Sequence, residues 1–198
     1  MTATEPPAPR RGRPPKVTAR GLTEVALGLF DEHGYSEVSV RDIAEAAGVD
    51  LRTVHRYFPA KSDVVWGTLV GAFDDLAERL EATPDDLPLV ERIRLAVCSS
   101  IRADADPLDR RRLRVVARSP ELQSTFSPAF VAWRTTIHDF VASHLDESDD
   151  LRATALATAV QSVTLAALTW WADHPGTTPE DAVDRALASL AGGFAETS

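Results

Sequence analysis

Apolar residues recur at three- and four-residue intervals along nearly the whole chain, and nowhere do they alternate at the period of two that a half-buried strand requires. Leu22, Val25, Ala26, Leu29 and Phe30 give one apolar stripe to a first helix over residues 17–33. Val40, Ile43, Ala44 and Ala47 mark a second, short helix. In a third, Val54 and Phe58 turn inward, which leaves Leu51, Arg52, His55 and Arg56 outward. Trp66, Leu69, Val70, Phe73, Leu76 and Leu80 predict one long helix from Ala60 to about Ala82. Leu89, Ile93, Ala96, Val97 and Ile101 predict the next, and a short one opens at Pro107. Phe126, Phe130, Trp133, Ile137, Phe140 and His144 line a single helix opened by Ser119-Pro120-Glu121. Leu151, Ala155, Ala159, Val163 and Ala166 recur in another that runs to about Asp173. Val183, Leu187, Leu190 and Phe194 face inward from the last. The pattern predicts an all-α protein of about nine helices.

The punctuation agrees with this reading. Ser39 with Asp42 three residues on is a capping-box start, and Asp50 is a good N-cap. Gly34 ends the first helix, and Gly48 stands where a left-handed residue must turn the chain. Asp106-Pro107 and Thr178-Pro179 place a capping side chain before a proline in the first turn. The two short helices around Gly48 form a helix-turn-helix unit, whose second helix can enter the major groove of DNA.

The string Phe30-x3-Gly34-Tyr35-x3-Ser39-Val40-x2-Ile43-Ala44-x2-Ala47-Gly48-Val49, followed by Thr53, Tyr57-Phe58-Pro59 and Lys61, resembles the TetR family of bacterial repressors, closely over residues 17–63. The resemblance implies a TetR-like fold: an N-terminal three-helix DNA-binding domain over 17–59, then a helical ligand-binding and dimerisation domain over 60–198. It implies a homodimer formed by the last two helices, with double-stranded operator DNA as partner. Arg52 and Arg56 have the chemistry to bond guanine or phosphate. Thr53, His55, Tyr57 and Lys61 stand at positions that contact phosphates in similar proteins. Ser39 and Arg41 can hold phosphate at the start of the second helix. Leu51 and Arg52 fill places where the family often has a polar residue and a Gly or Arg. His55 replaces the usual Tyr, and Ala60 lacks a hydroxyl common at that position.

Net charge is −9, unusual for a DNA binder until it is divided. Up to Lys61 nine Lys/Arg meet eight Asp/Glu, and beyond it twelve meet twenty-two. The acidic part is repelled by phosphate, so the molecule must dock by one end. Residues 1–16 read as a disordered basic arm, too polar for a secretory signal. Its Arg11-Gly12-Arg13-Pro14 core resembles an AT-hook, in which Arg11 and Arg13 would enter a narrow minor groove. The other reading is a solvated tail that adds only electrostatic affinity.

Cys98 is the only cysteine, which excludes an intrachain disulfide and points to a buried thiol. No apolar run approaches a membrane span, and the expected location is the cytoplasm. The five histidines are scattered, and no catalytic constellation or Gly-rich phosphate loop appears. Hence no enzyme activity, cofactor or metal is expected.

The middle helices should enclose a pocket for a small hydrophobic effector. Trp66, Phe73, Phe126, Phe130, Trp133, Trp170 and Trp171 are candidate lining, although any of them could be plain core. Arg110, Arg111, Arg112, Arg114 and Arg118 form either a solvated face with nearby acids or a mouth for phosphates, with Arg110 and Arg114 as the candidate contacts. The segments 53–67 and 110–134 resemble the TetR-like subgroup with an acyl-CoA-type ligand domain, including mycofactocin-system regulators. That resemblance implies an acyl-CoA effector. The alternative is a helical ligand-binding protein or enzyme with a degenerate DNA-binding domain.

Overall fold

A computed structural model describes residues 17–66, 75–101, 106–124, 128–145 and 150–191. Among them are eleven helices and no strand: α1 (Ala19–His33), α2 (Val40–Ala46), α3 (Leu51–Tyr57), α4 (Lys61–Trp66), α5 (Leu76–Glu81), α6 (Leu89–Ser100), α7 (Pro107–Ala117), α8 (Pro120–Ser124), α9 (Pro128–Ala142), α10 (Asp150–Ala172) and α11 (Pro179–Ala191). The all-α reading holds. The count of nine was low because two expected helices are each described in two pieces. Asp75 is the N-cap of α5, where one helix over Ala60–Ala82 was expected. Likewise α8 and α9 are described on either side of residues 125–127, where one helix opened by Ser119-Pro120-Glu121 was expected.

The caps formed as their residue types dictate. Ser39 Oγ accepts from the Asp42 N–H at 3.2 Å, while an Asp42 carboxylate oxygen accepts from the Ser39 N–H at 2.7 Å. The Ser39 hydroxyl and N–H hold the Asp42 carboxyl below its ordinary range. Asp106 accepts from the Leu108 N–H at 2.9 Å and Thr178 from the Asp181 N–H at 3.0 Å. Each such cap contributes on the order of 1 kcal/mol.

Two hydrophobic clusters form the interior. The first joins Leu22, Ala26, Leu27 and Phe30 of α1 to Ile43, Val54 and Phe58, and extends through Val64, Val65 and Trp66 to Val115, Val116 and Leu122. Packing is therefore continuous across residue 59, from the helix-turn-helix into the C-terminal part. The stripe expected on α1 is rotated: Thr23 and Leu27 are buried, whereas Val25 and Leu29 are half-buried. The reason is that α1 packs against α7 as well as against α2 and α4. The second cluster gathers Leu76, Leu80, Ile93, Val97, Trp133, Ile137 and Phe140 with Ala153, Ala157, Val160 and Leu187.

Contrary to the sequence expectation, α10 is long and apolar enough to cross a membrane by length and composition. Its many alanines raise its hydropathy, and it packs against α7, α9 and α11 as a core helix does. The expected stripe on α10 lies partly outward: Leu151 is 79% exposed, Ala155 and Ala166 are exposed, Ala159 and Val163 are half-buried, and Ala153, Ala157, Val160, Thr164 and Ala167 point inward.

Cys98 is buried in the second cluster, and its thiol donates to Asp184 at 3.6 Å. Burial first, then the Asp184 charge, pushes the thiol up to about 12. Thiolate is the reactive form. At pH 8 a thiol reagent such as Ellman's should label the native protein at least about tenfold more slowly than the urea-unfolded chain. Equal rates would show that Cys98 is accessible.

Candidate nucleic-acid interface

The helix-turn-helix is built by a short-range code. Gly48 takes φ 64°, and the Val49 N–H then closes onto the Ala44 carbonyl at 3.0 Å. Asp50 starts α3 by accepting from the Thr53 N–H at 2.8 Å, and the Thr53 hydroxyl donates to the same carboxylate at 3.2 Å. Val54 and Phe58 anchor one side of α3 in the core. The opposite side presents Leu51, Arg52, His55 and Arg56 to solvent, as the spacing predicts. Arg41 is also exposed, beside the start of α2. The Arg56 guanidinium lies 5.2 Å from the Tyr57 ring centroid, so it rests on that ring while its edge remains free to bond.

Other candidates have partners within the chain. The Ser39 hydroxyl donates to Asp42 at 2.7 Å as part of the capping box. The Lys61 ammonium donates to the Tyr35 carbonyl at 2.9 Å and the Val38 carbonyl at 3.2 Å, and lies 4.1 Å from the Tyr35 ring centroid. It therefore staples the loop between α1 and α2 to α4. Only one of its three N–H groups is left for a phosphate. Burial, aided by the carboxylates of Glu121 and Asp63, pushes the Tyr35 phenol up to about 12. Asp63 accepts from the Ala60 N–H at 2.8 Å, so it supplies the cap that Ala60 cannot.

The Tyr57 hydroxyl donates to the Val17 carbonyl at 2.8 Å. This ties the root of the basic arm to the end of α3. No local signal could have found it, because the partners are forty residues apart. Arg11 and Arg13 themselves lie outside the described residues. If Tyr57 orients the arm, Tyr57→Phe should weaken DNA binding about 3- to 10-fold in the full chain and have almost no effect in a chain that starts at residue 17. An equal loss in both, measured by fluorescence anisotropy, would instead make the hydroxyl a direct DNA contact.

Among the described residues, the candidate effector residues stand in three places. Trp66 is buried, and its ring meets Phe130 edge-on with centroids 5.1 Å apart. Trp133 belongs to the second cluster. Trp170 is 44% exposed on the outer surface of α10, stacked on His174 at 3.8 Å. Phe73 and Phe126 lie outside the described residues.

The five arginines wrap around α7 rather than forming one mouth. Arg112 is buried against Asp109. Arg118 reaches Asp31 of α1 at 3.3 Å and Asp173 at 3.8 Å, and Arg111 approaches Asp31 at 4.0 Å. These three follow the reading in which acids neutralise the run. Arg110 lies on another side, its guanidinium 4.1 Å from the Trp171 ring centroid and donating to the Trp171 carbonyl at 3.3 Å. Arg114 is one turn from Arg110, half-buried.

Along α10 and α11 runs an open groove of about 400 Å³ lined by Val163, Ala166, Trp170, Ala182, Arg185 and Ala186. It continues the outward apolar stripe of α10.

Residues 22–65 match the family described as bacterial regulatory proteins, tetR family, and residues 87–195 match the one described as the MftR C-terminal domain. A mycofactocin biosynthesis transcriptional regulator, MftR, by name, from Mycobacterium tuberculosis is 32% identical over 165 residues, covering 82% of this chain and 83% of that protein. Among solved structures, a fatty acid degradation regulator, FadR, from Bacillus halodurans superposes with TM-score 0.53 at 17% identity, covering 93% of this chain and 98% of that one. A tetR family regulator from Shewanella sp. PV-4 gives 0.51 at 21% identity, covering 88% and 96%.

Proposed function

The chain belongs to the TetR family of bacterial regulatory proteins and is a transcriptional regulator rather than an enzyme, and from that premise we propose a homodimeric repressor released from its operator by a hydrophobic effector. The observation that carries the reading is the outer face of α3, where Arg52, His55 and Arg56 stand exposed on a helix whose other face is locked into the core. A recognition helix needs both properties: base-reading side chains free to bond, and a rigid seat that fixes their register. Arg41 and the basic arm with Arg11 and Arg13 add phosphate and minor-groove contacts. Residues 17–59 act as the reading head, and residues 60–198 bind effector and partner. The protein works where the operator is, in the bacterial cytoplasm.

Two-fold symmetry is supplied by α10 and α11. Their groove and the Leu151–Ala166 stripe leave apolar surface uncovered on one face, and the small side chains there permit close helix approach. A second copy covers this face, and the two α3 helices then read two half-sites.

The effector is an acyl-CoA. The support is the resemblance of segments 53–67 and 110–134 to the subgroup with an acyl-CoA-type ligand domain, with the Trp66–Phe130 pair as apolar wall and the Arg110–Arg114 side of α7 as the phosphate-attracting side. Effector beside Trp66 shifts α4 and, through the shared core, α1 and the head. Release requires that it bind the two states with different affinity. Fluorescence anisotropy with duplex from upstream of the protein's own gene tests the whole reading. It predicts salt-sensitive, sequence-selective binding that long-chain acyl-CoA reverses. Binding that a scrambled duplex competes equally well would reject it.

A further inference from the structure

Buried polar side-chain atoms in native proteins nearly always have a hydrogen-bond partner, so a buried donor without one calls for an explanation. Trp66 Nε1 and Thr164 Oγ1 are both buried and have none. The two residues are only 4% and 9% exposed. They belong to elements that meet. The Trp66 ring abuts Phe130, and the Phe130 carbonyl accepts from Gln161 Nε2 at 2.7 Å. Thr164 lies one turn beyond Gln161 on the inward face of α10, and its neighbour Leu165 packs against the cluster that holds Trp66. The junction of α4, α9 and α10 thus carries two unpaired hydrogens, one indole and one hydroxyl, beside the paired amide of Gln161.

We propose that Trp66 Nε1 and Thr164 Oγ1 at this junction are the hydrogen-bond donors for one neutral acceptor, the carbonyl oxygen of the effector's acyl group. The inference rests on the acyl effector reading given above and extends it to the group that is recognised. An indole N–H can only donate, so the ligand must accept. Both donors are uncharged, and burying a carboxylate without a paired cation is costly. A thioester, ester or amide carbonyl is therefore favoured over a free fatty acid. The site thereby discriminates acyl compounds from plain hydrocarbon, because a ligand without the carbonyl leaves both donors unpaired.

The test uses the full-length protein and two probes with the same chain and the same phosphates: dodecanoyl-CoA, and S-dodecyl-CoA, in which a methylene replaces the thioester carbonyl. Dodecanoate is a third arm. Binding is read by isothermal titration calorimetry and by release of labelled operator. Wild type should prefer dodecanoyl-CoA to S-dodecyl-CoA and to dodecanoate. Trp66→Phe keeps an aromatic ring, and Thr164→Val keeps the shape. Each should weaken dodecanoyl-CoA about 3- to 12-fold, as expected for one neutral hydrogen bond, and leave S-dodecyl-CoA within about twofold. Thermal melts confirm that both variants fold, and either one alone suffices. Equal affinity of wild type for the two CoA probes, or equal losses for both probes in the variants, would overturn the carbonyl contact while the acyl reading stands. Failure of all three probes to bind would overturn the acyl reading and this inference with it.

Discussion

Arg52→Ala and Arg56→Ala should each weaken operator binding about 5- to 150-fold, the range that corresponds to losing about 1–3 kcal/mol of bidentate base contact. Both guanidinium groups stand on the solvent face of α3. Replacing them leaves the inward Val54 and Phe58 untouched, so the loss should appear in DNA binding and not in thermal stability. An arginine that reads a base also gives a second signature. Its alanine variant should tolerate changes at one operator position that wild type rejects. An arginine that only holds phosphate should lose affinity uniformly across sequences and flatten the salt dependence. Anisotropy titrations on a panel of single-base operator variants separate the two roles. If both variants bind like wild type, α3 is not the recognition helix.

Ala166→Arg should be more damaging still. Ala166 is exposed in the α10–α11 groove beside Arg185. In a two-fold interface each patch meets its own copy, so the new charge would face Arg185 and the partner's new arginine in a desolvated setting. The protomer's interior is untouched, because Ala166 points away from both hydrophobic clusters. The expected result is a folded monomer at micromolar concentration and a loss of operator affinity of about 100-fold or more, since one half-site remains where two were read. Sedimentation velocity measures the first and anisotropy the second. A variant that stays dimeric places the interface elsewhere.

What was legible in the sequence was what short-range chemistry determines. Ser39, Gly48, Asp50, Asp106 and Thr178 announced their turns and caps by type and spacing, and all formed as read. The outward face of α3 followed from two inward residues four apart. What the sequence did not show depended on partners far along the chain. Lys61 and Tyr57 matched phosphate-contacting positions, yet their polar groups are engaged by carbonyls of residues 35, 38 and 17. The arginine run of α7 resembled a phosphate mouth because a linear reading cannot show that Asp31 of α1 lies against it. Asp109, three residues before Arg112, was a local clue to the one arginine that became buried. Trp170 read as pocket lining because a helix buried on several sides gives no hint of which aromatic faces out.

Those long-range contacts share a physical cause. Charged and aromatic side chains are long, and their partners are chosen by how helices pack, while caps and glycine turns are closed within four residues. The orphaned Trp66 indole and Thr164 hydroxyl belong to the same class. No spacing rule marks them, and they are found only once burial and partners are known.

The central claim, that this chain is a dimeric reader of a specific operator, is tested most directly by DNase I footprinting of the region upstream of its own gene, with wild type and the Arg52→Ala, Arg56→Ala double variant side by side. The account predicts one protected palindromic stretch with wild type, lost in the double variant and lost again when long-chain acyl-CoA is added. Diffuse protection along the whole fragment, or a discrete footprint that survives the double substitution, would contradict it.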